Sequence, residues 1–547
     1  MKKNGAQLVC EALLREGVEV VFGIPGGAIL PLYQTFPQFP QLRHILTRHE
    51  EGAAMAADGY ARVTGKVGVC MATSGPGATH LVTGIANAAM DSVPLVAITG
   101  QVARKAIGTD AFQETDIIGI CLPITKHSYQ VFNARDIPRV IKEAFAIAAT
   151  GRPGPVLIDI PKDVFTEEAE GEFPEAVDIP GHRPVLEGHP AQLRRAVRLI
   201  QDAKRPLILA GHGVLISRAW DDLRAFAEKT GIPVITTLLG ISAFPADHVL
   251  YVGMPGMHGA AYASLAIDEA DLLIALGMRF DDRVTGKLEA FARGARVIHV
   301  DIDPAEIGKN RKADVPIVGD VRHVLRQLLP MVPHASHPEW LACIEQLKRE
   351  HPLRVPDSDS LLPQEIIEHL SDITGGRAIV ATGVGQHQMW TAQFYKFVEP
   401  NHFLTSGGLG SMGYEVPAAI GAQVGQPDKL VWSVAGDGGF QMTMFELATV
   451  VENRLPIKFA IINNRSLGMV RQWQQVFYQR SYVASCFNGS PDFVKLGEAY
   501  GIRGFRVTDK KQVRTAIEEA CTHPGPVIVD FQVEQEENVY PFIPPGM

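Results

Sequence analysis

Asp437 and Asn464 are the pair of residues that says most about chemistry. The apolar run Leu430–Ala435 ends in Gly436-Asp437-Gly438-Gly439, a helical pattern of about Gln441–Asn453 follows, and the next run, Phe459–Ile462, ends in Asn463-Asn464. Successive strands of a right-handed crossover lie side by side or nearly so. That sets Asp437 and Asn464 at neighbouring carboxyl ends, where open α/β sheets bind ligands. One carboxylate and one amide oxygen suit Mg²⁺, a hard cation that keeps waters and takes phosphate oxygens. The glycines admit backbone N–H groups to a diphosphate, and the helix start favours its charge. Asp-Gly alone is equally a tight turn; the joint spacing on two strand ends favours the metal site.

Other segments say less singly. Glu50, in Arg48-His49-Glu50-Glu51, opens a helix after the strand-like Leu42–Thr47, but acidic residues favour first turns in any case. Ser74-Gly75-Pro76-Gly77 is a strand–helix turn or a cofactor lining. Gly277 to Lys287 ends a strand with a dense set of charges and alone reads as a salt-bridged loop. Gly408-Leu409-Gly410-Ser411-Met412-Gly413 fits G-x-G-x-x-G. A nicotinamide site would need an acid at the end of the next strand, and Asp428 precedes that strand.

The elements that must position these groups recur in three blocks. Val18–Gly23, Val67–Ala72, Leu95–Thr99 and Val156–Ile160 read as buried strands, separated by helical patterns such as Ala53–Val63 and Ala78–Asp91. Pro206–Ala210, Val234–Thr237, Leu272–Leu276 and Val297–Val300 repeat the rhythm. So do Ala378–Ala381, Leu430–Ala435, Phe459–Ile462 and Val527–Phe531. The expectation is three doubly wound parallel-sheet α/β domains, at 1–165, 190–330 and 363–547. They are joined by connections at 166–189 and 331–362, the latter with a short helix near Trp340–Glu350.

The chain has 547 residues, a formal net charge of -9 and 20% charged residues, which favours neither nucleic acid nor an anionic membrane. Its six cysteines form no C-x-x-C pair, so neither a zinc site nor a disulfide framework is indicated. No apolar stretch reaches the roughly 20 residues of a membrane span. No secretory segment precedes Gly5, so a cytoplasmic location is expected.

Gly436-Asp437-Gly438, with Asn463-Asn464 25 residues after Gly438, resembles the motif of thiamine-diphosphate enzymes. The resemblance implies that Asp437, Asn464 and the carbonyl of Ser466 hold Mg²⁺. It also implies that Glu50 hydrogen-bonds the cofactor's aminopyrimidine, so that the thiazolium C2 proton can leave. In that family the Glu and the diphosphate site come from different subunits, so at least a dimer is expected. Gly385, Gln386 and His387 would hold the diphosphate with Gly436, Gly438 and Gly439. Gly410, Met412 and Met469 would line the cofactor, Met412 propping its bent form.

Within that family the chain is similar to the acetohydroxyacid synthases over about Gly5 to Pro545, and looks closest to the bacterial isozyme II subtype. The match implies FAD contacts at Arg152, Gly211, Gly213, Thr237, Leu238, Met257, His258, Gly277, Arg279, Asp281, Arg283, Asp301, Asp303, Glu306, Gly319 and Asp320. It implies a substrate pocket of Gly27, Ala28, Phe112, Met257, Val384, Met469 and Trp473. Gln113 and Lys162 join Glu50, Arg283 and Trp473 as the catalytic set. Arg283 would fork onto a 2-oxo acid carboxylate, and Trp473 would favour 2-oxobutyrate over pyruvate as second substrate. The implied reaction decarboxylates pyruvate and ligates the two-carbon unit to pyruvate or 2-oxobutyrate, for branched-chain amino acid synthesis. A separate small regulatory subunit is implied as partner. Pyruvate oxidase and glyoxylate carboligase are the sister alternatives. Two departures stand out: His212 where Gly is common, and Glu415 where Gly is usual.

Overall fold

The computed structural model describes residues 2–543 and folds them around three six-stranded parallel sheets. Their central strands are apolar and closed on both faces. Leu95–Gln101 and Pro155–Pro161 are buried at every residue, as a parallel sheet covered by helices demands.

The first sheet runs Arg43–Leu46, Val20–Gly23, Gly68–Ala72, Leu95–Gln101, Pro155–Pro161, His127–Gln130. Numbered in chain order this is 2-1-3-4-6-5. The third sheet repeats that order with Phe403–Thr405, Ile379–Thr382, Val431–Gly436, Lys458–Asn463, Val527–Gln532 and Arg503–Val507. The central sheet differs: Tyr251–Gly253, Val234–Thr236, Pro206–Ala210, Leu272–Leu276, Arg296–Asp301, Val315–Val318, or 3-2-1-4-5-6. That is the dinucleotide-binding order, with its switch point between Pro206–Ala210 and Leu272–Leu276.

The helix expected near Trp340 forms over Pro338–Glu350. It packs on the central domain: Trp340 and Ile344 join that core, and the indole N–H donates to the Pro206 carbonyl at 2.9 Å. At the other boundary, Glu168–Ala169 pairs antiparallel with Lys3–Asn4 and ties the connection back to the first domain.

The helix Glu50–Thr64 of the first domain crosses Glu415–Gly425 of the third at backbone contact. A Cβ on Gly421 would lie 1.8 Å from the Ala56 carbonyl oxygen, and one on Gly59 2.3 Å from that of Ala418. Only glycine permits this approach. Beside the crossing, buried Arg62 bonds Asp58 at 2.6 Å and Asp91 at 2.8 Å, and the Tyr414 hydroxyl donates to Asp58. Arg62, Asp58 and Asp91 all belong to the first domain, so the bond that reaches across to the third is the Tyr414 hydroxyl on Asp58.

Candidate active site

Strands Val431–Gly436 and Lys458–Asn463 are neighbours, with Gly436 opposite Ile462, so Asp437 and Asn464 emerge side by side as the spacing requires. The helix begins at once, at Asp437, rather than near Gln441; it breaks at Met444 and resumes over Leu447–Glu452. Asp437 is 1% exposed and neither carboxylate oxygen has a hydrogen-bond partner. Burial pushes its carboxyl up to about 7. An orphaned buried carboxylate is the arrangement a cation would repair. Asn464 donates to Gln386 Oε1 at 3.0 Å and accepts from the Ser466 N–H at 3.2 Å.

The same cleft is lined by Gly385, Gln386, His387, Met412, Gly438, Gly439 and Met469. His387 is buried and its imidazole is pushed down to about 3 by desolvation, which keeps it neutral. Gly436 is needed beneath it, since a Cβ there would lie 2.9 Å from His387 Nδ1.

Next to this cleft is a cavity of about 530 Å³, lined by Arg283, Trp473, His258, Val384, Gly410 and Met469 among others. Arg283 and Trp473 therefore share one space although 190 residues separate them. His258 stays neutral, pushed down to about 4 by burial first and then by Arg283. Met257 lines neither this cavity nor the cleft at the switch point of the central sheet; it supports Arg283 from behind, its sulfur 3.2 Å from Nη1.

At the switch point of the central sheet a third cleft collects Arg152, Gly213, Thr237, Leu238, Gly277, Arg279, Asp281, Asp301, Glu306 and Asp320. Gly277, at φ +57°, touches Gly213: a Cβ on it would lie 2.5 Å from the Gly213 Cα. Arg152 spans to Glu306 at 2.8 Å and Asp303 at 3.3 Å. Asp303 itself faces a neighbouring pocket, and Gly211 and Gly319 lie behind the lining. His212 lines the cleft but is turned to the first domain, with Nδ1 2.8 Å from the Asp91 carbonyl.

The remaining expected residues sit elsewhere. Glu50 is the first residue of its helix in the first domain, 9% exposed, with Oε2 3.0 Å from His80 Nδ1. Ala28 is tied to Thr73 by its N–H, next to Gly27, and Gln113 lies over Gly75. Phe112 is 89% exposed. Lys162 is exposed at the end of Pro155–Pro161. None of these lines the diphosphate cleft or the Arg283–Trp473 cavity. Within one chain, Glu50 and its neighbours therefore lie apart from the Asp437 cleft and the Arg283–Trp473 cavity.

The sequence reading missed three contributors. Phe542 stacks on His258 at 5.2 Å and meets Trp473 edge-on at 5.8 Å, while the Ile543 N–H donates to the Met257 carbonyl. Asp91 accepts the N–H groups of Gly407 and Gly408. His80 holds Glu50. No spacing rule connects any of them to the site.

Models of the thiamine pyrophosphate enzymes match all three domains: the N-terminal TPP binding domain at residues 3–120, the central domain at 193–328 and the C-terminal TPP binding domain at 383–531. The acetolactate synthase of Mycobacterium bovis is 52% identical over 556 residues, covering 99% of this chain and 90% of that protein. The chain belongs to the acetolactate synthase large subunits. Relatives from Corynebacterium glutamicum (51% identical, 100% of this chain and 89% of that one) and Pyropia yezoensis (50%, 100% and 94%) carry that description. Family membership accounts for the two sheets of identical order, which belong to the two TPP binding domains.

Proposed function

We propose that this chain is the catalytic subunit of an acetolactate synthase that joins pyruvate to a second 2-oxo acid, giving 2-acetolactate or 2-aceto-2-hydroxybutyrate. The observation that carries this is the cavity in which Arg283 and Trp473 meet Val384 and Met469, which also line the diphosphate cleft. It sets a carboxylate-binding fork and an apolar wall beside the cofactor's cleft.

Asp437, Asn464 and the carbonyl of Ser466 would hold Mg²⁺ beside the diphosphate. When bound, thiamine diphosphate supplies the electron sink for decarboxylation and the carbon that attacks the second substrate. Glu50 hydrogen-bonds the pyrimidine. Arg283 orients the acceptor carboxylate with two parallel donors. Trp473 rewards the extra methylene of 2-oxobutyrate. FAD fits the cleft at the central switch point, where Arg152 and Arg279 supply positive charge and the paired glycines let backbone approach the pyrophosphate. The active unit is a dimer at least, since Glu50, Gln113, Phe112 and Lys162 lie outside the chain's own diphosphate cleft. The relatives' description as large subunits supports a small-subunit partner. No helix among the described residues is long and apolar enough to cross a membrane.

The test is a colour assay for acetoin after acid decarboxylation of the product, with pyruvate, thiamine diphosphate, Mg²⁺ and FAD. Product from the parent and little from Glu50→Ala is the expected result. No acetolactate, together with flavin bleaching by pyruvate, would indicate an oxidase and overturn the reading.

A further inference from the structure

Among the described residues Glu50 has one side-chain hydrogen-bond partner, His80, the last residue of the short helix Pro76–His80. His80 Nδ1 lies 3.0 Å from Glu50 Oε2, and the His80 side chain is 46% exposed. The other oxygen, Oε1, faces Gly77, where an added Cβ would come within 3.2 Å. A glycine there keeps that side of the carboxylate open. The imidazole is itself held in place, stacked on His49 with ring centroids 4.3 Å apart and planes 27° apart. His49 is fixed in turn, because its Nδ1 accepts the Glu51 N–H as the helix cap.

We propose that His80 is the positioning residue of Glu50: it holds Oε2, leaves Oε1 for the cofactor's ring nitrogen, and passes protons between that carboxyl and water. The proposal rests on the reading of Glu50 given above. The proton step balances without a co-reactant. The carboxyl proton leaves Oε2 for Nδ1 of the neutral imidazole, and the proton on Nε2 leaves for water. The reverse path reprotonates the carboxyl, and one proton enters for each that leaves. Glu50 can then reset its protonation state between turnovers while staying buried.

The other titratable groups facing this pair are His49, Glu51 and Tyr33. His49 is kept neutral by burial, and Glu51 is raised by burial but restrained by His80. Tyr33 is raised by burial and then by Glu50, so its phenol stays protonated. In the single chain His80 is the half-exposed member of this group, the one placed to exchange protons with water.

The experiment follows exchange of the cofactor's C2 proton for deuterium, by acid quench and NMR, in holoenzyme across a pH range. Parent, His80→Asn, His80→Ala and Glu50→Gln are compared. His80→Asn retains a donor for Oε2 but cannot relay. The expected result is slower exchange by about ten-fold or more, within what general acid–base catalysis contributes. One limb of the parental pH profile is lost, thiamine diphosphate affinity is unchanged, and added imidazole partly restores His80→Ala. Superimposable profiles for parent and His80→Asn, or an unresponsive His80→Ala, would overturn the proposal. Glu50→Gln separates the two readings: parental exchange in that variant would refute the role of Glu50 itself. Its loss of exchange beside a normal His80→Asn would refute only the role of His80.

Discussion

Glu415 gives the prediction with the most structure behind it. It opens the helix Glu415–Gly425 and is completely buried. A Cβ on Gly383 would lie 2.0 Å from its Oε2, and one on Gly439 2.8 Å from its Oε1, so the carboxyl fills a slot that three atoms of side chain could not share. Neither oxygen makes a full hydrogen bond. Desolvation dominates, and the Gly413 and Glu415 N–H groups only soften it, so the carboxyl is pushed up to about 7 from its ordinary 4.5. A raised folded value favours the protonated form. Stability is therefore fully present below about pH 4.5 and is lost as pH rises through about 7. At 1.36 kcal/mol per pH unit, the gap corresponds to about 3 kcal/mol. Glu415→Gln keeps the shape and removes the ionisation, so its advantage over the parent grows with pH. The assay is thermal unfolding followed by the fluorescence of Trp390 and Trp432, both buried in this domain. Midpoints are compared because a chain of several domains has no single unfolding free energy. Between pH 5 and pH 8 the gap between variant and parent should widen by roughly 5–10 °C, at about 2–4 °C per kcal/mol for a domain of this size. A gap that is independent of pH would refute the reasoning.

Asp437→Ala should weaken Mg²⁺-dependent thiamine diphosphate binding by more than the roughly 10–100-fold that loss of an outer-shell partner costs, measured by fluorescence titration. Unchanged affinity would remove Asp437 from the metal site. Trp473→Leu should lower the ratio of 2-aceto-2-hydroxybutyrate to 2-acetolactate in competition assays by about 10–200-fold, the range open to one methylene. An unchanged ratio makes Trp473 a packing residue. Gly277→Ala, at φ +57° and against the Gly213 backbone, should purify without bound flavin while retaining thiamine diphosphate binding. Yellow protein after gel filtration would count against the flavin cleft.

Thirteen strand runs read from the sequence all form, and most of them are interior strands with near-continuous apolar runs. In the three six-stranded sheets, the five strands that went unseen are His127–Gln130, Tyr251–Gly253, Val315–Val318, Phe403–Thr405 and Arg503–Val507. Every one is a sheet edge. An edge strand has one side open, is short, and carries mixed residues such as the partly exposed His127-Ser128-Tyr129-Gln130, so no hydrophobic period marks it. The site divides the same way. Asp437 and Asn464 were legible because sheet topology turns their spacing into proximity. Arg283 and Trp473 became neighbours in a reading only through family resemblance. Phe542 and His80 were invisible, because what places them is a tail folding back and a ring stacking on His49, neither of which has a spacing.

The separation of Glu50 from the diphosphate cleft also bears on genetics. In a dimer whose sites each take Glu50 from one copy and Asp437 from the other, a chain lacking Glu50 and a chain lacking Asp437 are both inactive alone. Mixed together, each supplies what the other lacks, and the hybrid holds one intact site beside one doubly defective site. Random assortment of equal amounts makes half of the dimers hybrids, so about a quarter of parental activity returns. Two lesions on the same half-site, Asp437→Ala with Asn464→Ala, have no such remedy. On the proposed dimer, site alleles of this protein would sort into two complementation groups, one in the first domain with Glu50 and one in the third with Asp437.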